Sequence, residues 1–291
     1  MRILIQNYAS PLSTEPMYFT RCLSSANKEV SLWSDPNTSA FDAFDSIKPD
    51  VFISHFKFLT NDIIKYLSSN KNISLALNVS YATDEEMKNI EIVLENNKIN
   101  TQFLFSNQYG ILNGVSPSKN KLVNIIPALD VFIGASAVPS FNIDSAIIST
   151  GENEDFKREC KSRDVYHKLC LGGESDTFDI PVNIQSVSSL FDSYDEIVIA
   201  DDINIATSQI MFEASFKAKK LKIQVPNEQK ELLDKIFLTL FSDDSETEDV
   251  SKLVKQQILK KHNCFKRTAR LARALKDSQL AQELEKVSDK L

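Results

Sequence analysis

Along the first part of the chain, short apolar runs alternate with segments whose apolar positions recur every three to four residues. Residues 2–7, 29–33, 50–54, 73–79, 101–106 and 122–126 read as strands, and residues 14–26, 61–69 and 84–96 carry the helical period. Asp84, Glu85 and Glu86 open the last of these helices, where negative charge suits the positive end of the dipole. Strands rich in Val, Ile, Leu and Phe, each followed by a helix, imply a parallel sheet covered on both faces.

Residues 127–141 (PALDVFIGASAVPSF) break the pattern with two prolines, a glycine and small residues, which predicts an inter-domain linker. The pattern then restarts. Residues 145–150, 165–171, 196–200 and 221–225 read as strands, residues 152–162 and 205–217 as helices, and residues 227–291 as helical throughout. The expected architecture is α/β, with two doubly wound domains facing a cleft and a helical C-terminal tail. Residues 1–135 form the N-terminal domain and residues 136–291 the C-terminal domain with the terminal helices. In such sheets ligands bind outside the carboxyl ends of the strands, so the residues just after each strand carry the interest.

Composition narrows the class only a little. The chain has 291 residues, 42% apolar and 25% charged, which is ordinary for a globular protein. Its four cysteines form no CxxC pair, which argues against a zinc ribbon or disulfide framework and fits a reducing compartment. Three histidines are too few for a multi-histidine metal site; Asp201-Asp202 could bind a metal, and its simpler reading is a polar strand end. No segment has the ~20 apolar residues that span a bilayer. The start, MRILIQNYAS, reads as a strand and not as a signal peptide, so a cytosolic location is expected. A net charge of −7 argues against wrapping a long stretch of nucleic acid, yet residues 252–276 hold nine basic residues and no acid.

Three of the six glycines, Gly151, Gly172 and Gly173, stand at expected strand ends in the C-terminal half. They are either plain turns or places where backbone approaches a phosphate. Neither GxGxxG nor GxxxxGK[ST] is present. Thr150-Gly151 leads into a helix with Lys157 and Arg158, a reasonable diphosphate site, although interleaved acids also fit a solvated face. Glu213 lies in an apolar helix, where its two oxygens match a ribose diol, or it is an ordinary helix acid. In the N-terminal half, Glu15 opens a helix and either favours its dipole or contacts a sugar. His55 directly follows the third strand and has the ordinary pKa of a general base, while Asn78 follows the fourth and could orient a substrate.

Three stretches resemble GT-B glycosyltransferases. Phe212-Glu213-Ala214, followed by Ser215-Phe216-Lys217-Ala218 and a strand, is similar to the family's donor-domain motif. Phe216-Lys217-Ala218 replaces a small-residue segment, and Gln209 stands where the family often has arginine. His262 to Arg267 (HNCFKR) resembles a stretch of the last long helix in one GT-B group, a structural role only. Ser13 to Phe19 (STEPMYF) resembles a segment of the phage DNA beta-glucosyltransferases, which modify hydroxymethylcytosine. The resemblance implies two Rossmann-like domains, a UDP-sugar donor substrate with no permanently bound cofactor, and DNA as acceptor partner; no metal site is expected from the residues. It implies a sugar contact for Glu15, diphosphate contacts near Lys157 and Arg158, and a ribose contact at Glu213. The family's aspartate base after the fourth strand has no counterpart, since Asn78 and Ser80 stand near that place; His55 or Glu15 would serve. A transferase acting on a glycan, protein or small molecule stays open beside this, as does a non-catalytic nucleotide-sugar-binding protein.

Overall fold

Strand β1 (Arg2–Gln6) shows why the first sheet is covered on both faces. Leu4 faces one side and Ile3 and Ile5 the other, and all three are buried. The same alternation holds in β3 (Val51–His55), β4 (Ser74–Asn78) and β5 (Thr101–Ser106). With β2 (Glu29–Trp33) and β6 (Leu122–Asn124) they form a six-stranded sheet in the order β2-β1-β3-β4-β5-β6, parallel throughout. Helices α1 (Glu15–Ser25), α2 (Ala40–Ile47), α3 (Asn61–Ser69) and α4 (Asp84–Asn96) are its crossovers. Phe44 of α2, Ile63 and Leu67 of α3 and Met87 of α4 pack with Leu4, Phe52, Leu75 and Leu104 in one core.

The structure is a computed structural model that describes residues 1–8, 10, 13–108, 117–133, 143–149, 167–171, 180–241 and 250–291. In the second half, β7 (Ile143–Ser149), β8 (His167–Leu171), β9 (Ile180–Val182), β10 (Tyr194–Ala200) and β11 (Leu221–Gln224) form a parallel sheet in the order β11-β10-β7-β8-β9. Between β9 and β11 lie α5 (Ile184–Ser188), α6 (Ile203–Ala206) and α7 (Gln209–Lys217). Ile184, Val187, Ile210 and Ala214 pack with Ala146, Ile148, Ile197 and Ile199. Helices α8 (Lys230–Phe241), α9 (Val250–Lys261), α10 (Cys264–Ala274) and α11 (Ser278–Ser288) complete the chain. Two Rossmann-like doubly wound α/β sheets with a helical C-terminal region are thus the fold class, as the apolar pattern implied.

The division of the chain differs from the expected boundary at 135/136. One compact unit comprises Met1–Tyr8, Glu15–Ile126 and Phe265–Lys290; the other comprises Ala9–Thr14, Pro127–Cys264 and Leu291. Helix α11, with Leu280, Ala281 and Leu284 buried, belongs to the first unit and not with the C-terminal sheet. Within the second unit, the start of the expected linker is built in: Leu129 is buried, its N–H donates to His262 O, and its carbonyl accepts from Cys264 N, each at 2.9 Å. Those two bonds fall at the break between Lys261 and Cys264, one of the places where residues 227–291 are not one helical run. The helix expected over 205–217 is two helices, interrupted at Thr207-Ser208. Helix α2 is additional to the sequence reading; Ser39 caps it by accepting from Asp42 N at 3.1 Å.

Candidate functional site

The strand order of the first unit reverses between β1 and β3, and that is where a doubly wound sheet opens at its carboxyl edge. Tyr8 follows β1, Glu15 begins α1, and Asn78 ends β4. The three side chains meet. Tyr8 Oη donates to Glu15 Oε1 at 2.7 Å, and Asn78 Nδ2 donates to the same oxygen at 2.8 Å. Asn78 is itself oriented, because its Oδ1 accepts from Ser80 N at 2.9 Å and from Ser80 Oγ. Its amide N–H₂ group therefore faces the carboxylate. Glu15 is 1% exposed. Burial pushes its carboxyl up to about 7, against the opposing pull of hydrogen bonds from Tyr8, Asn78 and Asn107. The Tyr8 hydroxyl is raised well above its ordinary value by burial and by the Glu15 charge.

His55 ends β3 beside this cluster, with its ring 5.8 Å from that of Tyr8. Its Nδ1 accepts from Lys57 N at 3.2 Å and so caps the short 3-10 turn Phe56–Phe58. Burial, helped by the Lys57 charge, holds its pKa down at about 4 despite a hydrogen bond to the Ser80 backbone. It is a neutral and weakly basic ring. Of the three residues singled out in the sequence, the structure joins Glu15 and Asn78 by a hydrogen bond, and His55 caps the turn that follows β3. Tyr8 and Asn107 escaped the sequence reading, since no local spacing links them to Glu15.

In the second unit the order reverses between β7 and β10. At those strand ends Ser149 Oγ donates to Asp201 Oδ2 at 3.0 Å, and Asp202 N donates to Asp201 Oδ1 at 2.9 Å. Asp201 thus serves as a strand-end acceptor, and among the described residues no group of three His, Cys, Asp or Glu could hold a metal. Ser208 precedes α7; its Oγ is buried without a hydrogen-bond partner and does not cap the helix.

Glu213, on α7, is fully buried. In place of a free pair of oxygens for a ribose, its Oε1 accepts from Asp130 N at 2.7 Å and Gln209 Nε2 at 3.3 Å. Its Oε2 accepts from Ser188 Oγ at 2.6 Å and lies 3.0 Å from Lys217 Nζ. Four protein donors thus match the carboxylate's roughly four lone-pair sites. Gln209 is likewise engaged, its Oε1 accepting from Thr14 N at 2.8 Å. Thr150, Gly151, Lys157, Arg158, Gly172 and Gly173 lie outside the described residues.

The basic run over 252–276 is not one cationic face. Arg267 is buried, Lys266 pairs with Asp289 at 2.7 Å, and Arg273 with Glu285 at 2.6 Å. A cavity of about 460 Å³ lies elsewhere in the first unit, at the carboxyl ends of β1 and β2, lined by Gln6, Asn7, Trp33, Asp35, Phe58 and Asp62 among others.

Fold and site together define a doubly wound α/β protein of two Rossmann-like units, with a buried, basic carboxylate at the carboxyl edge of the first sheet. No family model and no curated protein matches the sequence. Solved structures align with the fold. The DNA modifying enzyme beta-glucosyltransferase, solved with and without its substrate uridine diphosphoglucose, aligns over 99% of this chain and 100% of its own at 12% identity and a TM-score of 0.49. SsfS6, a glycosyltransferase of Streptomyces sp. SF2575, aligns over 100% and 96% at 10% identity and a TM-score of 0.42. CalG4, the calicheamicin glycosyltransferase, aligns over 95% and 98% at 9% identity and a TM-score of 0.38. Among the described residues no helix is long and apolar enough to cross a membrane.

Proposed function

We propose that the protein is a glycosyltransferase that moves a sugar from a UDP-sugar onto the hydroxymethyl group of 5-hydroxymethylcytosine in DNA, with Glu15 as general base. The observation that carries the reading is the Glu15 carboxyl, buried, oriented by Tyr8 and Asn78, and raised to about 7 at the carboxyl edge of a doubly wound sheet. A carboxylate of that basicity is matched to removing a hydroxyl proton near neutral pH. The acceptor oxygen forms the new bond to the anomeric carbon, the bond from that carbon to the diphosphate breaks, and UDP leaves with the electron pair. The proton passes to Glu15 and then to solvent. Glu15 is 1% exposed, so the acceptor reaches it when covering groups move, as lids do in many transferases.

The donor belongs to the second unit in this proposal. The N-terminus of α7, with the spare Ser208 hydroxyl, offers donors to the diphosphate, and Lys157 and Arg158 with Thr150-Gly151 supply further charge and backbone N–H groups. Glu213 anchors α7 through Ser188 and the Asp130 backbone N–H, and acts on the donor only through that helix.

The choice of DNA rests on the Ser13–Phe19 segment. A second reading, transfer to a small glycan or other neutral acceptor, is favoured by the cavity with Trp33, Phe58, Asp35 and Asp62, because aromatic faces and carboxylates suit polyols and repel phosphate. The two readings part in one assay. Transfer from a panel of UDP-sugars is measured on hydroxymethylcytosine duplex and on free oligosaccharides between 50 and 200 mM salt. A DNA acceptor gives a rate at subsaturating duplex that falls steeply with salt, and a neutral acceptor gives a flat one. Glu15→Gln lowers kcat by roughly 10²–10⁴-fold, and the wild-type rate rises with pH through about 7 as the base ionises. Full activity in Glu15→Gln removes the base assignment.

A further inference from the structure

Asn107 follows β5 beside the Glu15 cluster. Its backbone N–H donates to Ser80 Oγ at 2.8 Å. Its side chain helps to hold the Glu15 carboxyl down against the effect of burial, as an amide donor near a carboxylate does. Its Oδ1 is buried with no hydrogen-bond partner. An ionised carboxylate only accepts, so the amide N–H₂ of Asn107 must face Glu15 and the carbonyl must face away. Turning the amide over would set its oxygen against the carboxylate. The orientation is therefore fixed, and what Asn107 presents beyond Glu15 is an acceptor. A buried carbonyl left unpaired is costly, and a site with such a group favours a ligand that brings an N–H or O–H to it.

We propose that Asn107 is a specificity-determining residue of the acceptor site, whose Oδ1 takes a hydrogen bond from an amino group adjacent to the reacting hydroxyl. This rests on the acceptor reading given above. In 5-hydroxymethylcytosine the 4-amino group is the immediate neighbour of the 5-hydroxymethyl group. With the hydroxyl at Glu15, the amino group falls toward Asn107. In 5-hydroxymethyluracil the same position is a carbonyl, so two acceptors would face one another. Asn107 thus reads 4-aminopyrimidine against 4-oxopyrimidine through the same side chain that touches the base.

The test uses the full chain, a panel of UDP-sugars, and two duplex oligonucleotides that differ only in carrying one hydroxymethylcytosine or one hydroxymethyluracil. Wild type is expected to favour hydroxymethylcytosine in kcat/KM by at least ~100-fold. Asn107→Leu and Asn107→Ala are expected to bring the two oligonucleotides to within about 3-fold, with KM for hydroxymethylcytosine raised. Any loss of kcat through Glu15 would fall equally on both acceptors and leave the ratio readable. Asn107→Ala keeps the backbone donation to Ser80 and guards against a folding defect in the bulkier variant. Equal use of both oligonucleotides by wild type, or an unchanged preference in the alanine variant, overturns the role of Asn107 and leaves the transferase reading standing. Transfer to neither oligonucleotide overturns the DNA acceptor and this inference together.

Discussion

Glu15 is kept where its charged form is disfavoured, and that has a consequence for stability as well as chemistry. Its carboxyl is raised from 4.5 to about 7 in the folded protein. Below pH 4.5 the group is protonated in both the folded and unfolded states and costs nothing. Above pH 7 it is ionised in both, and the fold carries the full desolvation cost, so stability is lost as pH rises from 4.5 through 7. The shift corresponds to about 3 kcal/mol at most. Glu15→Gln keeps an oxygen for Tyr8 and Asn78 and removes the charge. Its Tm should therefore exceed that of wild type at pH 8, and the gap should close by pH 4.5; a gap that widens toward low pH would mean the carboxylate is stabilised by its neighbours instead. Part of this site was legible in the sequence. Glu15 and Asn78 stand after strands, where a doubly wound sheet puts its ligands. Tyr8 and Asn107 were not legible, because what joins them to Glu15 is the register of β1 and β5, and no period in the chain encodes that. His55 was legible as a position only, since its low basicity comes from burial and from the backbone it caps.

At the scale of elements, α7 shows how a motif reading can find the right residue and miss its partners. The pattern around Glu213 marks a carboxylate in an apolar helix, which the structure has. What spacing along one helix could not reveal is that Asp130, 83 positions away, and Ser188, 25 away, bring donors to it. Lys217 at i+4 was in reach of a helical reading. The pair is nearly dry, with side chains 10% and 0% exposed. Removing one member leaves the other charge buried and unpaired. Glu213→Ala is therefore expected to cost about 3–5 kcal/mol, and Lys217→Met in the same chain should return part of it. Urea unfolding of the single and double variants supplies the cycle. Donor affinity measured alongside separates the anchor from a ribose contact: an anchor loses stability first, and a ribose contact loses affinity at unchanged Tm. Helix α2 carries its own signals in the sequence, since Ser39 caps it and Ala40, Ala43 and Phe44 recur at helical spacing.

At the scale of the whole molecule, the apolar pattern gave two parallel sheets and their order of appearance, yet not which unit owns the last helices. A chain that reads as helical to its end gives no sign of where those helices dock, because that depends on which apolar faces the sheets leave uncovered. The contacts assign Phe265–Lys290 to the first unit. Leu280, Ala281 and Leu284 of α11 are buried there, Asp277 caps α11 by accepting from Leu280 N at 2.9 Å, and its other oxygen pairs with Lys28 at 2.9 Å. Two buried leucines at about 2–3 kcal/mol each and one cap at about 1 kcal/mol amount to roughly 5–7 kcal/mol. That is comparable with the entire stability of many domains. Ending the chain after Lys276 should therefore unfold or strongly destabilise the sheet β1–β6 while the sheet β7–β11 keeps its stability. Hydrogen exchange reads this strand by strand: protection lost in residues 2–6, 51–55 and 74–78, and retained in 194–200 and 221–224. If protection is lost in the second group instead, the terminal helices belong with the C-terminal sheet, as a division at 135/136 requires.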